Sequence, residues 1–229
     1  MEEQIRACAP PAELQVRREP QQDRAKDTVE KILDATAGVL DEVGHTKLTT
    51  KRVAKRCGIN IATLYNYFPN KLALLHALAE KHAKQLQKKL DAIYGSRAER
   101  DWRDTVDNAI DALLDFNRTT AGAVAVSLAM RSYPSLRHVD HESDVRESEV
   151  RSQHLTELGI KGSPSELQFK TLVIAEVMTA MIDYALQFYP ERADAAIAEV
   201  KRMVTLYIED HLRESAEDLS PGDTGDAPA

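Results

Sequence analysis

The sequence has little of what marks secreted, disulfide-bonded or zinc-binding proteins. Only two cysteines, Cys8 and Cys57, occur in 229 residues, and they lie too far apart for a disulfide framework or for the close ligand spacing of a zinc site. The N-terminal segment MEEQIRACAPPAELQ is acidic and has no apolar core, which predicts that it is not a signal peptide. These absences favour a cytoplasmic protein in which Cys57 is a small buried residue.

Long hydrophobic runs and catalytic motifs are also missing. The most apolar late run, TLVIAEVMTAMIDYAL, contains Glu176 and Asp183 and is predicted to be too short and too charged to cross a bilayer. The patterns HExxH, GxSxG, GxGxxG and CxxC and the phosphate-binding P-loop do not occur. We therefore expect no membrane association, no cofactor and no enzymatic activity. A helical enzyme remains the alternative.

Strand patterns are nearly absent, whereas helical periodicity recurs along the chain. The apolar spacing predicts helices at about 25–43, 70–95, 101–119, 121–133, 163–189 and 191–214. The predicted fold class is therefore all-α. Prolines 10, 11 and 20 predict a flexible arm at 1–23, and the acidic stretch SAEDLSPGDTGDAPA predicts a disordered tail at 215–229.

Residues 44–71, GHTKLTTKRVAKRCGINIATLYNYFPNK, carry the most informative pattern. Gly58 fits the left-handed end of one short helix, and Asn60 is a suitable N-cap for a second. Leu64 and Phe68 are then predicted to face inward, four residues apart. The segment has no Asp or Glu in a chain of net charge −7, so phosphate binding is favoured over a solvated face. Its basic residues are Lys47, Lys51, Arg52, Lys55, Arg56 and Lys71.

The stretch LTTKRVAKRCGINIATLYNYFPNKLALLHAL resembles the DNA-binding segment of the TetR family of one-component transcriptional regulators. The matching elements are the LTT cap, the A-x-x-x-G turn, T-L-Y, the Y-F-P-N-K link and the L-A-L-L run. The resemblance implies an N-terminal three-helix helix-turn-helix DNA-binding domain at 24–70. It also implies a C-terminal helical domain at 71–214 that dimerises and binds a ligand.

The same resemblance implies a role for each exposed position of the helix-turn-helix. Residues expected to hold the DNA backbone are Thr50, Thr63, Tyr65, Tyr67 and Lys71. Residues expected where base edges are read are Lys51, Ile61, Ala62 and Asn66. The implied protein is a homodimer, most simply a repressor, that binds a pseudo-palindromic double-stranded DNA operator and is released by a small, largely apolar effector. A module that uses the helix-turn-helix for protein contacts is the alternative.

A basic arm precedes the first predicted helix. Arg17, Arg18, Arg24 and Lys26 lie ahead of that helix or in its opening turn, where they would reach phosphates or a minor groove. Glu19 and Asp23 dilute this charge. A purely solvated tail is an equally good interpretation.

Two sets of apolar residues in the helical domain are candidates for binding roles. The candidate effector-binding residues, which are equally well explained as plain core, are Trp102, Phe116, Met130, Tyr133, Phe169, Met178 and Met181. The candidate dimer contacts, some of which must face the subunit's own core, are Leu172, Ala175, Ile182, Val200, Val204 and Tyr207. Glu176, Asp183 and Tyr184 interrupt the apolar helix and are candidate polar anchors if they face inward.

One pattern in the charged segment after Pro134 is compatible with a metal. His138 and His141 stand three residues apart, with Asp140, Glu142 and Asp144 nearby. Pairs at this spacing are common by chance, so a solvated helix with mixed charges is favoured and no metal is predicted.

Overall fold

The computed structural model describes residues 11, 13–16, 23–95 and 101–217, apart from the side chains at positions 23, 24, 142, 143 and 146. This part of the chain contains no strand, which confirms the predicted all-α class. A short 3-10 helix, Pro190–Arg192, joins the last two helices. The α-helices are α1 (Asp23–Val43), α2 (Thr50–Cys57), α3 (Ile61–Tyr67), α4 (Lys71–Gly95), α5 (Trp102–Thr119), α6 (Ala123–Ser132), α7 (Pro134–Glu157), α8 (Pro164–Phe188) and α9 (Ala193–Glu217).

The N-terminal helices surround one cluster of apolar side chains. Ile32 of α1, Val53 of α2 and Leu64 of α3 are fully buried in it, as the helical spacing predicts. The cluster does not end at the predicted boundary near residue 70. Leu74 of α4 and Ala129 of α6 belong to the same cluster and are also fully buried. The N-terminal domain therefore packs directly on helices of the second half, with α1 in contact with both α4 and α6.

A second apolar cluster is formed by α5, α8, α9 and the end of α7. Ile110, Ile182 and Val200 are at most 1% exposed within it. α8 begins with a capping box: the Ser163 side chain accepts from the Glu166 amide, and the Glu166 carboxylate accepts from the Ser163 amide at 2.7 Å. Such a box satisfies two amide donors that the first helical turn leaves free. The box marks where α8 starts, immediately after the loop from α7.

The predicted arm and tail both differ from the structure where they are described. Leu14 is fully buried against the N-terminal cluster, and the Asn70 side-chain amide donates to the Glu13 carbonyl at 2.8 Å. Residues 13–16 are thus packed on the protein because one apolar side chain finds a place in the core. At the other end, α9 continues to Glu217, past the predicted limit at 214. The rest of the predicted arm, with Arg17 and Arg18, and residues 218–229 lie outside the described residues.

Candidate DNA interface and ligand cavities

Local hydrogen bonds fix the geometry of the helix-turn-helix. The Thr49 side chain accepts from the Arg52 amide at 3.2 Å and caps α2. Gly58 ends α2 with φ 71°, a left-handed conformation that glycine adopts without steric cost. Asn60 then caps α3 by accepting from the Ala62 amide at 2.8 Å. Phe68 follows α3 in an extended conformation, as expected of a residue before proline. The predicted bihelical unit is thus present, with its turn defined by two caps.

The structure leaves the predicted DNA-contact residues accessible. None of the nine is buried: Lys51, Ile61, Ala62, Tyr65 and Asn66 are exposed, and Thr50, Thr63, Tyr67 and Lys71 are half-buried. The hydroxyl groups of Thr50 and Tyr65 are 3.0 Å apart and hydrogen-bonded, which fixes the start of α2 relative to α3. Their DNA roles remain predictions.

Positive charge on α2 is free for a ligand. No acidic side chain of the described residues lies within 4.0 Å of Lys51, Arg52 or Lys55, whereas Arg56 is paired with Glu42 of α1. Unpaired cations on one face attract a polyanion at long range.

Lys71 is turned toward the second half of the protein. Its Nζ donates to the Tyr133 hydroxyl at 2.9 Å and lies 4.7 Å from the centre of the Tyr133 ring. The Tyr133 hydroxyl in turn donates to the His45 carbonyl at 3.4 Å, and the two rings meet edge to face at 6.0 Å. Burial and the nearby Lys71 lower the pKa of His45. These three residues form a bridge between the helix-turn-helix and the end of α6.

This bridge corrects the predicted effector role of Tyr133. The residue is the C-cap of α6 and the N-cap of α7, so the chain changes direction there. Its ring consequently packs on the N-terminal cluster instead of lining a cavity.

A cavity of about 320 Å³ lies among α5, α7, α8 and α9. Trp102 and Met178, both predicted effector residues, line it together with Val106, Ile174 and Ile208. Its walls are mainly apolar, which suits a small apolar ligand. The polar members were missed in the sequence because no motif marks them: Tyr94, Thr105, Arg151, His154, Glu157 and Thr171.

A second cavity, of about 200 Å³, lies between α4, α5, α6, α7 and α8. The predicted effector residues Phe116 and Met130 line it. Of its acidic residues, Glu176 was a candidate polar anchor in the sequence, whereas Asp140 and Asp144 were interpreted as part of a solvated helix. We call this the acidic cavity; its polar and charged lining residues are His82, Asn117, Ser127, Arg131, Asp140, Asp144, Glu176 and Thr179.

Comparison with known proteins agrees with both halves of this architecture. The family described as "Bacterial regulatory proteins, tetR family" matches residues 32–78. The family described as "Tetracyclin repressor-like, C-terminal domain" matches residues 100–212. The chain belongs to the TetR family. It is accordingly a DNA-binding transcriptional regulator.

Individual TetR-family relatives are distant. A TetR-family transcriptional regulator from Streptomyces coelicolor has a similar structure, with a TM-score of 0.65 and 25% identity over 81% of this chain and 99% of that one. A TetR variant from Acinetobacter baumannii AYE in complex with minocycline shares the fold, with a TM-score of 0.60 and 18% identity over 81% of this chain and 97% of that one. The nucleoid occlusion factor SlmA of Actinobacillus pleuropneumoniae is 29% identical over 102 residues, 44% of this chain and 50% of the relative. The match thus spans about half the length of that relative.

In this TetR-family chain, three predicted dimer contacts face inward. Ile182, Val200 and Val204 are at most 4% exposed and belong to the subunit's own core. Leu172 and Ala175 line cavities, and Tyr207 is half-buried with its ring edge-on to His211 at 4.6 Å. α8 is apolar nearly all round, so spacing alone did not reveal which side faces the core.

The apolar residues of α8 and α9 that are exposed differ from the six predicted dimer contacts. Phe169 is 66% and Met181 38% exposed, so these two predicted effector residues line neither cavity and lie on the outer side of α8. The full exposed apolar set on the two helices and their connection, here called the outer face, is Phe169, Met181, Tyr184, Phe188, Tyr189, Met203 and Leu206.

α8 also corrects the expectation about membrane spans. The helix is 25 residues long and is long and apolar enough to cross a membrane. The apolar run TLVIAEVMTAMIDYAL, from which the sequence prediction was made, is only part of this helix. Helices that pack inside a protein meet the same criteria. α8 packs along α7 and α9 and buries the carboxyl group of Asp183.

The alternative metal site is not supported by the side chains that are described. Among them, no group of three His, Cys, Asp or Glu residues is placed to hold a metal ion. His138 and His141 are both exposed on α7.

Proposed function

We propose that this protein is a cytoplasmic, homodimeric repressor without enzymatic activity. It binds a pseudo-palindromic operator and is released when a small effector fills its helical domain. The proposal is supported most directly by one observation: α6 lines the acidic cavity, and the residues at its two ends are hydrogen-bonded to α1, to the α1–α2 connection and to the start of α4, which flank the helix-turn-helix.

Two contacts carry this connection. Met130 of α6 lines the acidic cavity, and three residues later Tyr133 accepts the hydrogen bond from Lys71. At the other end of α6, the Gly122 amide donates to the Asp41 carboxylate of α1 at 2.8 Å. A ligand that binds one position of α6 more tightly than another would therefore move the contacts that α6 makes with α1 and with the start of α4, on either side of the helix-turn-helix.

The outer face supports a dimer. It exposes large apolar side chains on two neighbouring helices, with the rings of Phe188 and Tyr189 both packed on that of Tyr184, and exposed apolar surface is typical of protein contacts. A second copy of the chain would cover it around a two-fold axis. Two recognition helices about 34–36 Å apart would then fit successive major grooves.

The DNA-binding part is tested with DNA from upstream of the protein's own gene. Fluorescence anisotropy at several salt concentrations should give saturable binding to an inverted repeat and weaker binding to unrelated DNA. Lys51→Ala, at a predicted base-reading position, should weaken binding to the inverted repeat more than binding to unrelated DNA. Lys88→Ala, which removes another exposed lysine, from the C-terminal half of α4, is the control and should change nothing.

The repressor role is tested separately in cells. A reporter behind the upstream region should be expressed more strongly when the gene for this protein is deleted. Lower expression on deletion would make the protein an activator. Operator binding with no change in expression would favour a role such as the one named in the SlmA relatives, which is nucleoid occlusion.

A further inference from the structure

The acidic cavity contains more negative than positive charge. Arg131 of α6 pairs with Glu176 of α8 at 3.1 Å. Asp140 and Asp144 of α7 line the same space, and no described basic side chain lies within 4.0 Å of either. Among the described side chains, neither carboxyl group therefore has an ion-pair partner of its own, and Arg131 attracts both only from a longer distance.

Burial makes this arrangement costly for the empty protein. Burial, and then repulsion from Asp140, Glu176 and Glu147, raise the pKa of Asp144 to about 7 despite the attraction of Arg131. The pKa of Asp140 is also raised, mainly by burial. Carboxyl groups in such surroundings are stabilised by any cation that enters.

The apolar side of the cavity contains a polar atom without a partner. His82 is 7% exposed, and among the described residues its Nδ1 has no hydrogen-bond partner. Its ring meets Phe116 edge to face at 5.7 Å. Burial, followed by Lys81, lowers the pKa of His82 to about 4, so the imidazole is neutral and one of its nitrogens is an acceptor.

A second buried polar atom lies directly behind the wall. Ser127 lines the cavity and donates to Oδ2 of Asp183 at 2.5 Å. Asp183 is 3% exposed, and its Oδ1 has no partner among the described residues. Buried polar atoms are nearly always satisfied in proteins, so unsatisfied ones next to a cavity point to a polar ligand.

An approach to the site from solvent is present. Arg131, Asp140, Asp144 and Glu176 also line a shallow depression on the outside of α7, together with His138 and His141. The carboxyl groups therefore stand between the outside and the cavity, where they would meet an incoming cation first.

We propose that the acidic cavity binds a small organic cation, an amine or ammonium compound with a compact apolar body. Its nitrogen lies between Asp140 and Asp144, and its apolar body packs against Phe116 and Met130. This inference rests on the proposed effector response and names the chemical class of the effector. A cavity of about 200 Å³ lies below the roughly 300–1,000 Å³ of sites for drug-sized ligands, so the ligand is small.

Three probes of equal shape and different charge test the proposal. They are 2-phenylethylamine, which is a cation at neutral pH, 2-phenylethanol, which is neutral, and phenylacetate, which is an anion. Calorimetric titration of the full chain without DNA should show the amine binding at least about tenfold more tightly than the alcohol, because a charged hydrogen bond is worth more than a neutral one. The anion should bind weakest.

Variants then locate the binding site. Asp144→Asn and Asp140→Asn keep the side-chain shape and should each remove most of the preference for the amine. Asp194→Asn, which removes an exposed carboxylate of α9, is the control and should keep it. Unfolding curves of all variants show whether each remains folded. Equal binding of amine and alcohol, or an undiminished preference in Asp144→Asn, would overturn the proposal.

The outcome is separable from the proposed regulation. If the amine binds but operator affinity is unchanged, the acidic cavity is a cation site but not the effector site. Release from the operator by a neutral apolar compound, with no selective amine binding, would keep the regulated repressor and refute the cation site.

Discussion

Replacement of Gly122 by alanine tests how rigidly α6 is held against α1. Gly122 has φ 73° and precedes α6. A Cβ atom there would lie 2.9 Å from Cα of Ala37 and 3.2 Å from its carbonyl oxygen, and this neighbour is backbone that cannot rotate away. Gly44, at the end of α1, has nearly the same φ of 70° and nothing within 4 Å of such a Cβ. Gly44→Ala is therefore a matched control.

The two substitutions share one cost and differ in another. An L side chain in the left-handed region costs about 1–2 kcal/mol, and both variants bear it. Gly122→Ala adds the clash with Ala37, and overpacking of this kind typically costs about 1–3 kcal/mol. We expect Gly122→Ala to lower the free energy of unfolding by about 1–3 kcal/mol more than Gly44→Ala.

The measurement is urea unfolding monitored by circular dichroism. The two free energies of unfolding are compared directly only if their dependence on urea concentration has the same slope in both variants. A displaced α6 also lengthens the hydrogen bond from the Gly122 amide to Asp41, so the response of operator binding to effector should weaken in the same variant. Equal losses of stability in the two variants would refute the reasoning. They would show that α6 moves off α1 at little cost and that their contact does not transmit a signal.

Three other predictions follow from the bridge, the outer face and the acidic cavity. Tyr133→Phe removes the hydroxyl that accepts from Lys71 and should tighten operator binding by roughly three- to tenfold, with a steeper salt dependence, whereas Lys71→Ala should weaken operator binding. An unchanged affinity and salt slope in Tyr133→Phe would mean that the hydrogen bond between Lys71 and Tyr133 does not compete with DNA. Met203→Glu should give a folded monomer in sedimentation experiments, whereas Val204→Glu should unfold the subunit because it buries an unpaired charge. A Met203→Glu protein that is still a dimer would place the dimer interface elsewhere. The pKa of Asp144 is raised in the folded state, so its carboxyl group lowers the stability of the protein as pH rises from about 4 to about 7. Asp144→Asn should therefore stabilise the protein by roughly 1–2 kcal/mol at pH about 7.5 and not at pH about 4. A gain in stability that does not depend on pH would contradict this.

The helix-turn-helix was predictable because its chemistry is local. Gly58 and Asn60 define the turn through their own backbone and side chain, and Pro69 ends α3 through the residue before it. No distant contact is needed to read these signals. Most helix positions were predictable for the same reason, but the bounds of α7 were not, because its charged sequence has only a sparse apolar stripe.

The cavities and the outer face were less predictable, because helical spacing shows which residues share one face of a helix but not what packs against that face. Val204 and Met203 are adjacent and both apolar, yet one is in the core and the other exposed. Asp140 and Asp144 were correctly placed one turn apart, but burial depends on α4, α6 and α8, which pack over them. Tyr133 was assigned to a cavity because helical spacing did not show that the chain changes direction at the end of α6, which turns the Tyr133 ring toward the N-terminal cluster.

The membership of α6 in the N-terminal core has a practical consequence for building chimeric regulators. Ala129 is fully buried among side chains of α1 to α4, although it lies about fifty residues beyond the segment that the DNA-binding family matches. A fragment cut after α4 would expose the surface that α6 covers, and a hybrid carrying another protein's α6 would have to fill the same space. The helix that we propose to sense the ligand is thus also a structural part of the DNA-binding domain, so we expect that the two can be exchanged between proteins only together.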